Sequence, residues 1–220
     1  MTKTNTPSRR PLSQSQTRWI IGGLVILVAA AALFAILSSA GEAAPEAVAE
    51  RLTLDPVLGD PNAPVTIIEY GAYGCSACQS WHRSRIIEQI LAEYPGKVKF
   101  VYRDFPVIAP SYSRMAARTA QCALDQGNDA FWAYHDALFT LADARSSQAD
   151  LIRLGEQIGL DAEALQACVD SNTHVATVQY DEDQGNKLGL QGTPAFFVNG
   201  QLLYFASPSG LRKAIEQALN

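Results

Sequence analysis

Residues 71–80 read GAYGCSACQS and set two of the chain's four cysteines, Cys75 and Cys78, two positions apart. Just before them, VTIIEY at Val65–Tyr70 carries apolar residues on both faces, as a central buried strand requires. Just after them, Ser76 to about Tyr94 reads as one helix. Ile86, Ile87, Ile90 and Leu91 form its 3.6-period stripe, and Pro95-Gly96 stops it. KVKFVY at Lys97–Tyr102 then alternates like a second strand. The order is strand, Cys-x-x-Cys, helix, strand: a βαβ unit with its cysteines at the strand-to-helix turn.

That placement has a chemical meaning. Backbone N–H groups and the positive dipole end converge at a helix N-terminus and favour thiolate over thiol at the first cysteine. The second cysteine, one turn in, can bridge to the first or resolve a mixed disulfide formed on it. Such a pair suits thiol–disulfide exchange. Half of a zinc site and an inert bridge are the alternatives; for zinc, a second closely spaced pair is missing, since Cys122 and Cys168 lie far apart and singly.

Working outward, the next strand-like run after Tyr102 is Pro194–Val198. Between them lie helical patterns at about Ser111–Gln126, Asp129–Ala142, Ser147–Ile158, Asp161–Asp170 and Val175–Leu188, with turn signals at Gln126-Gly127-Asn128 and Gly159. The chain closes with AFFVNGQLLYF, two apolar runs about Asn199-Gly200, a strong hairpin signal, and a helix from about Ser207 to Leu219. The fold class expected is α/β: residues 61–110 and 190–220 make one domain, and residues 111–189 form an all-helical insertion within it.

The N-terminal part differs in kind. Residues 1–18 carry Lys3, Arg9, Arg10 and Arg18 and no acidic residue. Trp19–Leu37, WIIGGLVILVAAAALFAIL, is uncharged, and nineteen helical residues span roughly 28 Å, close to a bilayer's hydrocarbon core. Residues 19–38 therefore read as a transmembrane anchor with the basic tail in the cytoplasm and everything after it outside. A cleaved signal peptide, with Ser38-Ser39-Ala40 at its end and a secreted product, is the rival. Residues 39–60 read as a linker, an Ala-rich tether followed by the turn-rich DPVLGDPNAP. The chain has formal net charge −5; setting aside the four basic residues of the tail leaves thirteen basic against twenty-two acidic, near −9. An acidic folded part argues against nucleic acid as a partner. Both readings of the N-terminus export the domain, where disulfides persist. Cys122 and Cys168, 46 residues apart on predicted helices, then read as a structural disulfide stapling the insertion, with two free thiols or a second, electron-relaying pair as alternatives.

Gly192-Thr193-Pro194, directly before the hairpin, adds a further motif. With DPVLGDPNAPVTIIEYGAYGCSAC, YRDFPV at Tyr102–Val107, AFWAYHDALF at Ala130–Phe139 and GTPAFFVNG at Gly192–Gly200, the chain over about residues 53–220 resembles the DsbA-like thiol–disulfide oxidoreductases of the thioredoxin superfamily, in their membrane-anchored bacterial branch. The resemblance implies a thioredoxin fold with a helical insertion, Cys75 as the exposed attacking cysteine and Cys78 as the buried resolving one. It implies a cis Pro194 that leaves the Thr193 backbone beside the sulfurs to pair with substrate, and Glu69 as a proton relay beneath the site. Thr193 is also placed to hydrogen-bond a sulfur. A strand-edge charge facing solvent is the other reading of Glu69. The chain departs from the family at Ser76-Ala77, which lacks the Pro and the His or Tyr common between these cysteines, and at Ala72, where relatives often carry Asp.

Among the remaining residues, His82 reads as a surface position one turn beyond Cys78, His135 as packed among core aromatics, and His174 as solvated. Trp81, Phe131 and Trp132 read as core or groove aromatics. The function expected is an extracytoplasmic oxidase of cysteine pairs in exported proteins, monomeric and without cofactor or metal. Its reoxidant would be a quinone-linked membrane thiol oxidase. A copper chaperone, a peptide-binding module and a reductase for cytochrome maturation are the alternatives.

Overall fold

Strands β1 (Val57–Gly59), β2 (Val65–Gly71), β3 (Val98–Asp104), β4 (Ala195–Val198) and β5 (Gln201–Leu203) form one sheet in the order β1-β3-β2-β4-β5. These belong to the computed structural model, which describes residues 55–140, 146–203 and 206–220, all within one compact unit, Leu54–Asn220. β2 and β3 run parallel in register from Val65↔Val98 to Gly71↔Asp104, and every other pairing is antiparallel. Five of the seven residues of both β2 and β3 are buried in an unbroken run at the C-terminal end, the signature of strands covered on both faces.

The crossover between β2 and β3 is two helices, not the single one read from the sequence. α1 (Ser76–Arg83) and α2 (Ile86–Glu93) are separated at Arg85, whose φ of 55° is left-handed. The apolar stripe of residues 86–91 belongs to α2 alone. α1 buries only Cys78 completely, so packing requires no common axis for the two segments. A second difference lies in the linker, where Val57–Gly59 pairs antiparallel with Val101–Lys99 as an edge strand. Three residues between Pro56 and Asp60 are too short for a periodic signal.

Five helices separate β3 from β4: α3 (Pro110–Leu124), α4 (Asn128–Thr140), α5 (Gln148–Gln157), α6 (Ala162–Asp170) and α7 (Val175–Lys187); α8 (Pro208–Leu219) follows the hairpin. Their starts follow local chemistry. Ser147 and Asp150 close a capping box on α5, Asp161 caps α6 and Ser207 caps α8. Cys122 on α3 and Cys168 on α6 are joined by a disulfide. β3 continues two residues past the predicted Tyr102, and its end is polar but buried. Arg103 donates from Nε and Nη2 to Asp55 Oδ2 at 3.0 and 2.7 Å and from Nη1 to the Tyr70 hydroxyl at 3.1 Å. No helix among the described residues is long and apolar enough to cross a membrane. The predicted tail, the Trp19–Leu37 anchor and the Ala-rich tether lie outside the described residues.

Candidate active site

β2 ends at Gly71, and the four residues after it turn the chain into α1. Glycine is required by close approach at the strand end, Gly71, and within the turn, at Gly74. A Cβ on Gly71 would stand 2.5 Å from the Tyr102 ring, and one on Gly74 would stand 2.7 Å from the Ala109 side chain. Gly74 also donates its N–H to Ser113 Oγ at 2.9 Å, tying the turn to the start of α3. Cys75 is the N-cap of α1, extended at φ −92° and ψ 118°, and its Sγ accepts from the Cys78 N–H at 3.4 Å.

The hairpin supplies the opposite wall. β4 pairs with β2 through Tyr70↔Ala195, so the two residues before Ala195 lie against the turn that carries Cys75. The Thr193–Pro194 bond is cis, and the Cys75 thiol donates to the Thr193 carbonyl at 3.3 Å. Thr193 Oγ1 is buried and has no hydrogen-bond partner among the described residues. The structure thus brings Cys75, Cys78, Thr193 and Pro194 to one point from positions more than a hundred residues apart.

Both cysteines are free thiols in unequal environments. Cys75 is 5% exposed and Cys78 1%. Cys75 is thus not the exposed residue that the resemblance implies: the Thr193 backbone and the glycine turn lie against it. Its pKa is lowered to about 5. The largest cause is the hydrogen bond from the Cys78 thiol, opposed by burial; the N–H groups of Cys78 and Ala77 help to lower it. The helix amides therefore contribute to the thiolate, but the neighbouring thiol contributes more. Cys78 is driven far in the other direction, by burial first, then by the hydrogen bond it donates to Cys75, then by the Glu69 charge. One sulfur is thus an anion near neutrality and its partner holds its proton.

Glu69 is 6% exposed and so is not a solvent-facing strand charge. Burial first, and the Cys75 charge second, raise its pKa to about 8. It borders a cavity of about 200 Å³ that Trp81, His82, Trp132, His135 and Phe139 also line. His82 is drawn in from the surface assigned to it: its side chain is 12% exposed and its Nε2 lies 2.8 Å from Asp136 Oδ1. Asp136 escaped sequence reasoning because 54 residues separate it from His82; the one signal was its place inside AFWAYHDALF. His135 is buried, held neutral because burial and then His82 push its pKa well below 6.5, and its Nδ1 lies 3.0 Å from the Tyr73 hydroxyl. The Trp81 ring packs, tilted by 46°, 4.7 Å from that of Phe196, and Phe131 is fully buried. His174 is only partly solvated; its Nε2 lies 2.8 Å from Asp125 Oδ2.

The thioredoxin family model matches residues 52–217, three quarters of the chain and all of the sheet and insertion. The chain belongs to the thioredoxin family. Within it, the five-helix insertion and the paired cysteines mark a DsbA-like thiol–disulfide oxidoreductase. The disulfide bond formation protein D of Bacillus subtilis is 29% identical over 174 residues, covering 74% of this chain and 77% of that protein. The crystal structure of oxidised BdbD from the same organism superimposes with a TM-score of 0.69 at 28% identity, covering 76% of this chain and 94% of that one. A second kind of relative is the Na(+)/H(+) antiporter NhaA 3 of Salinispora tropica, 33% identical over 148 residues. There the match covers 67% of this chain but only 22% of the antiporter, so the chain spans about a fifth of that relative's length.

Proposed function

We propose that this domain is a protein-thiol oxidase that introduces disulfides into exported proteins through Cys75 and Cys78. The observation that carries this reading is the position of Cys75 Sγ at the N-terminus of α1, where it accepts from the Cys78 N–H at 3.4 Å. A sulfur held there is a stable anion when reduced and hence a good leaving group, which makes the pair's disulfide oxidising. The Bacillus relative, a disulfide bond formation protein, supports the same direction.

The steps balance as follows. A substrate thiolate attacks Cys75 Sγ of the oxidised pair; the Cys75–Cys78 bond breaks and a mixed disulfide forms. Cys78 leaves as a buried thiolate and takes a proton, for which Glu69, buried, felt electrostatically at Cys78 and neutral below about pH 8, is the donor. The substrate's second thiolate then attacks its own sulfur in the mixed disulfide and releases Cys75 as thiolate. Two electrons pass from substrate to enzyme. Pro194 and the Thr193 backbone hold the substrate segment in extended form beside Cys75. Reoxidation falls to a quinone-linked membrane thiol oxidase, and an N-terminal anchor over residues 19–38 would hold the domain on the extracytoplasmic side beside that partner.

The test is a trap. Cys78→Ser removes the resolving thiol, and exported proteins should accumulate as adducts on Cys75 that reducing agent releases. A Cys78→Ser protein that collects no adducts in oxidising medium overturns the reading.

A further inference from the structure

The disulfide between α3 and α6 does not stand alone. Cys122, Cys168 and His174 place their ligand atoms within 4.8 Å of one another, although 46 residues separate the cysteines. Asp125 borders the group: its Oδ2 lies 2.8 Å from His174 Nε2 and 3.5 Å from Cys168 Sγ, which as a disulfide sulfur has no proton to donate. The four positions come from short-range geometry. Cys122 and Asp125 are three residues apart at the end of α3, and Cys168 and His174 flank the turn between α6 and α7. Arg118, one helical turn before Cys122, pins that turn through Nη2 to the Val169 carbonyl at 3.1 Å and to Asn172 Oδ1 at 2.5 Å. The other ring nitrogen of His174 faces Thr177 Oγ1 at 3.4 Å, so a hydroxyl stands where a ligating imidazole needs its orienting partner.

We propose that, once its disulfide is reduced, the Cys122–Cys168–His174–Asp125 cluster is a redox-gated site for Zn²⁺. Two thiolates and an imidazole with a carboxylate oxygen are a donor set for tetrahedral zinc. In such a site the ligand atoms stand about 3.5 Å apart, so His174, already within 4.8 Å of both sulfurs, needs little movement. Once the bond between them is cut, the two sulfurs must part to about 3.7 Å. Two thiolates and Asp125 bring three negative charges together, and the dication removes two of them. The ion thereby offsets the charge that the two thiols take on when they give up their protons to bind it. An external dithiol supplies the reduction: it delivers two electrons and two protons to the Cys122–Cys168 bond and leaves as its own disulfide. Both protons depart again when the thiols bind the ion as thiolates. The staple of the helical insertion is thereby covalent under oxidising conditions and ionic under reducing ones.

The experiment uses the full chain carrying Cys75→Ser and Cys78→Ser, so that Cys122 and Cys168 are the only thiols. After reduction without oxygen, Zn²⁺ titrated against a chromophoric chelator should bind at one equivalent, and the unreduced protein should bind none. Co²⁺ in its place should give thiolate-to-cobalt charge-transfer absorption. His174→Ala and Asp125→Ala, which keep both cysteines, should each weaken Zn²⁺ binding at least tenfold. Equal binding before and after reduction overturns the proposal, as does binding that His174→Ala leaves unchanged. Should the reduced protein lose its helical circular dichroism, added Zn²⁺ must restore it; failure to do so also overturns the proposal.

Discussion

Glu69 occupies β2 between Ile68 and Tyr70, and its carboxyl is neutral in the folded protein up to about pH 8 while an unfolded chain ionises it near 4.5. Between those values the folded state holds a proton that the unfolded state has released, so stability falls as pH rises through the window. Glu69→Gln should flatten that decline and gain on the wild type toward pH 8, by on the order of 4 kcal/mol at the top of the range. Urea unfolding at several pH values reads this directly. Cys75 behaves oppositely. Its depressed pKa stabilises the reduced fold above the ordinary thiol range, and that contribution is lost as pH falls through about 5. Because the Cys78 thiol is the first cause of the shift, Cys78→Ala should return Cys75 toward ordinary thiol behaviour. The pH profile of its alkylation rate measures the change. The same asymmetry sets the redox chemistry. Above about pH 5 the pair takes up one proton per two electrons, so its potential should fall by about 30 mV per pH unit, against about 59 below. Glutathione equilibria across that range would show the break; a slope of 59 mV at pH 7 would mean that Cys75 is an ordinary thiol.

At the scale of elements, α7 is informative because it packs a glycine where alanine is the usual helix former. A Cβ on Gly185 would stand 2.6 Å from the Phe105 ring, just beyond the end of β3. Gly185→Ala, which gains about 1 kcal/mol in an exposed helix, should here cost ~1–3 kcal/mol, measurable by urea unfolding. The first strand makes a comparable point with charge. Asp55, immediately before β1, is the partner of a guanidinium whose side chain is 2% exposed. Asp55→Ala leaves Arg103 buried and uncompensated at that carboxylate, and should cost ~3–5 kcal/mol in the same assay. Neither Gly185 nor Asp55 drew notice in the sequence. Their partners lie on other elements, and a single residue's spacing does not report a contact across 48 or 80 positions.

For the molecule as a whole, the disulfide joins α3 to α6 across the insertion, away in sequence from both cysteines of the turn. Removing it with Cys122→Ala and Cys168→Ala should lower stability by ~2–4 kcal/mol and leave the rate of exchange at Cys75 unchanged. Thermal unfolding beside a thiol-exchange assay separates the two effects. The order βαβ, five helices, hairpin, helix was legible throughout, because periodicity and turn residues are local properties of the chain. The break at Arg85 and the strand at Val57–Gly59 were not, since both depend on what the sheet and core accept.

The division is the same at the site. By itself the sequence determined where a reactive cysteine pair stands relative to strand and helix, that a Thr-Pro precedes a hairpin, and that the flanking strands are buried. Those are consequences of residue type and spacing. Only the tertiary structure decided that Glu69 is enclosed rather than solvated, that His82 turns to Asp136, and that Cys75 owes its acidity first to Cys78. It also decided that Cys122, Asp125, Cys168 and His174 converge. Burial, desolvation and the meeting of charges arise from packing between elements, and no local pattern in a chain carries them.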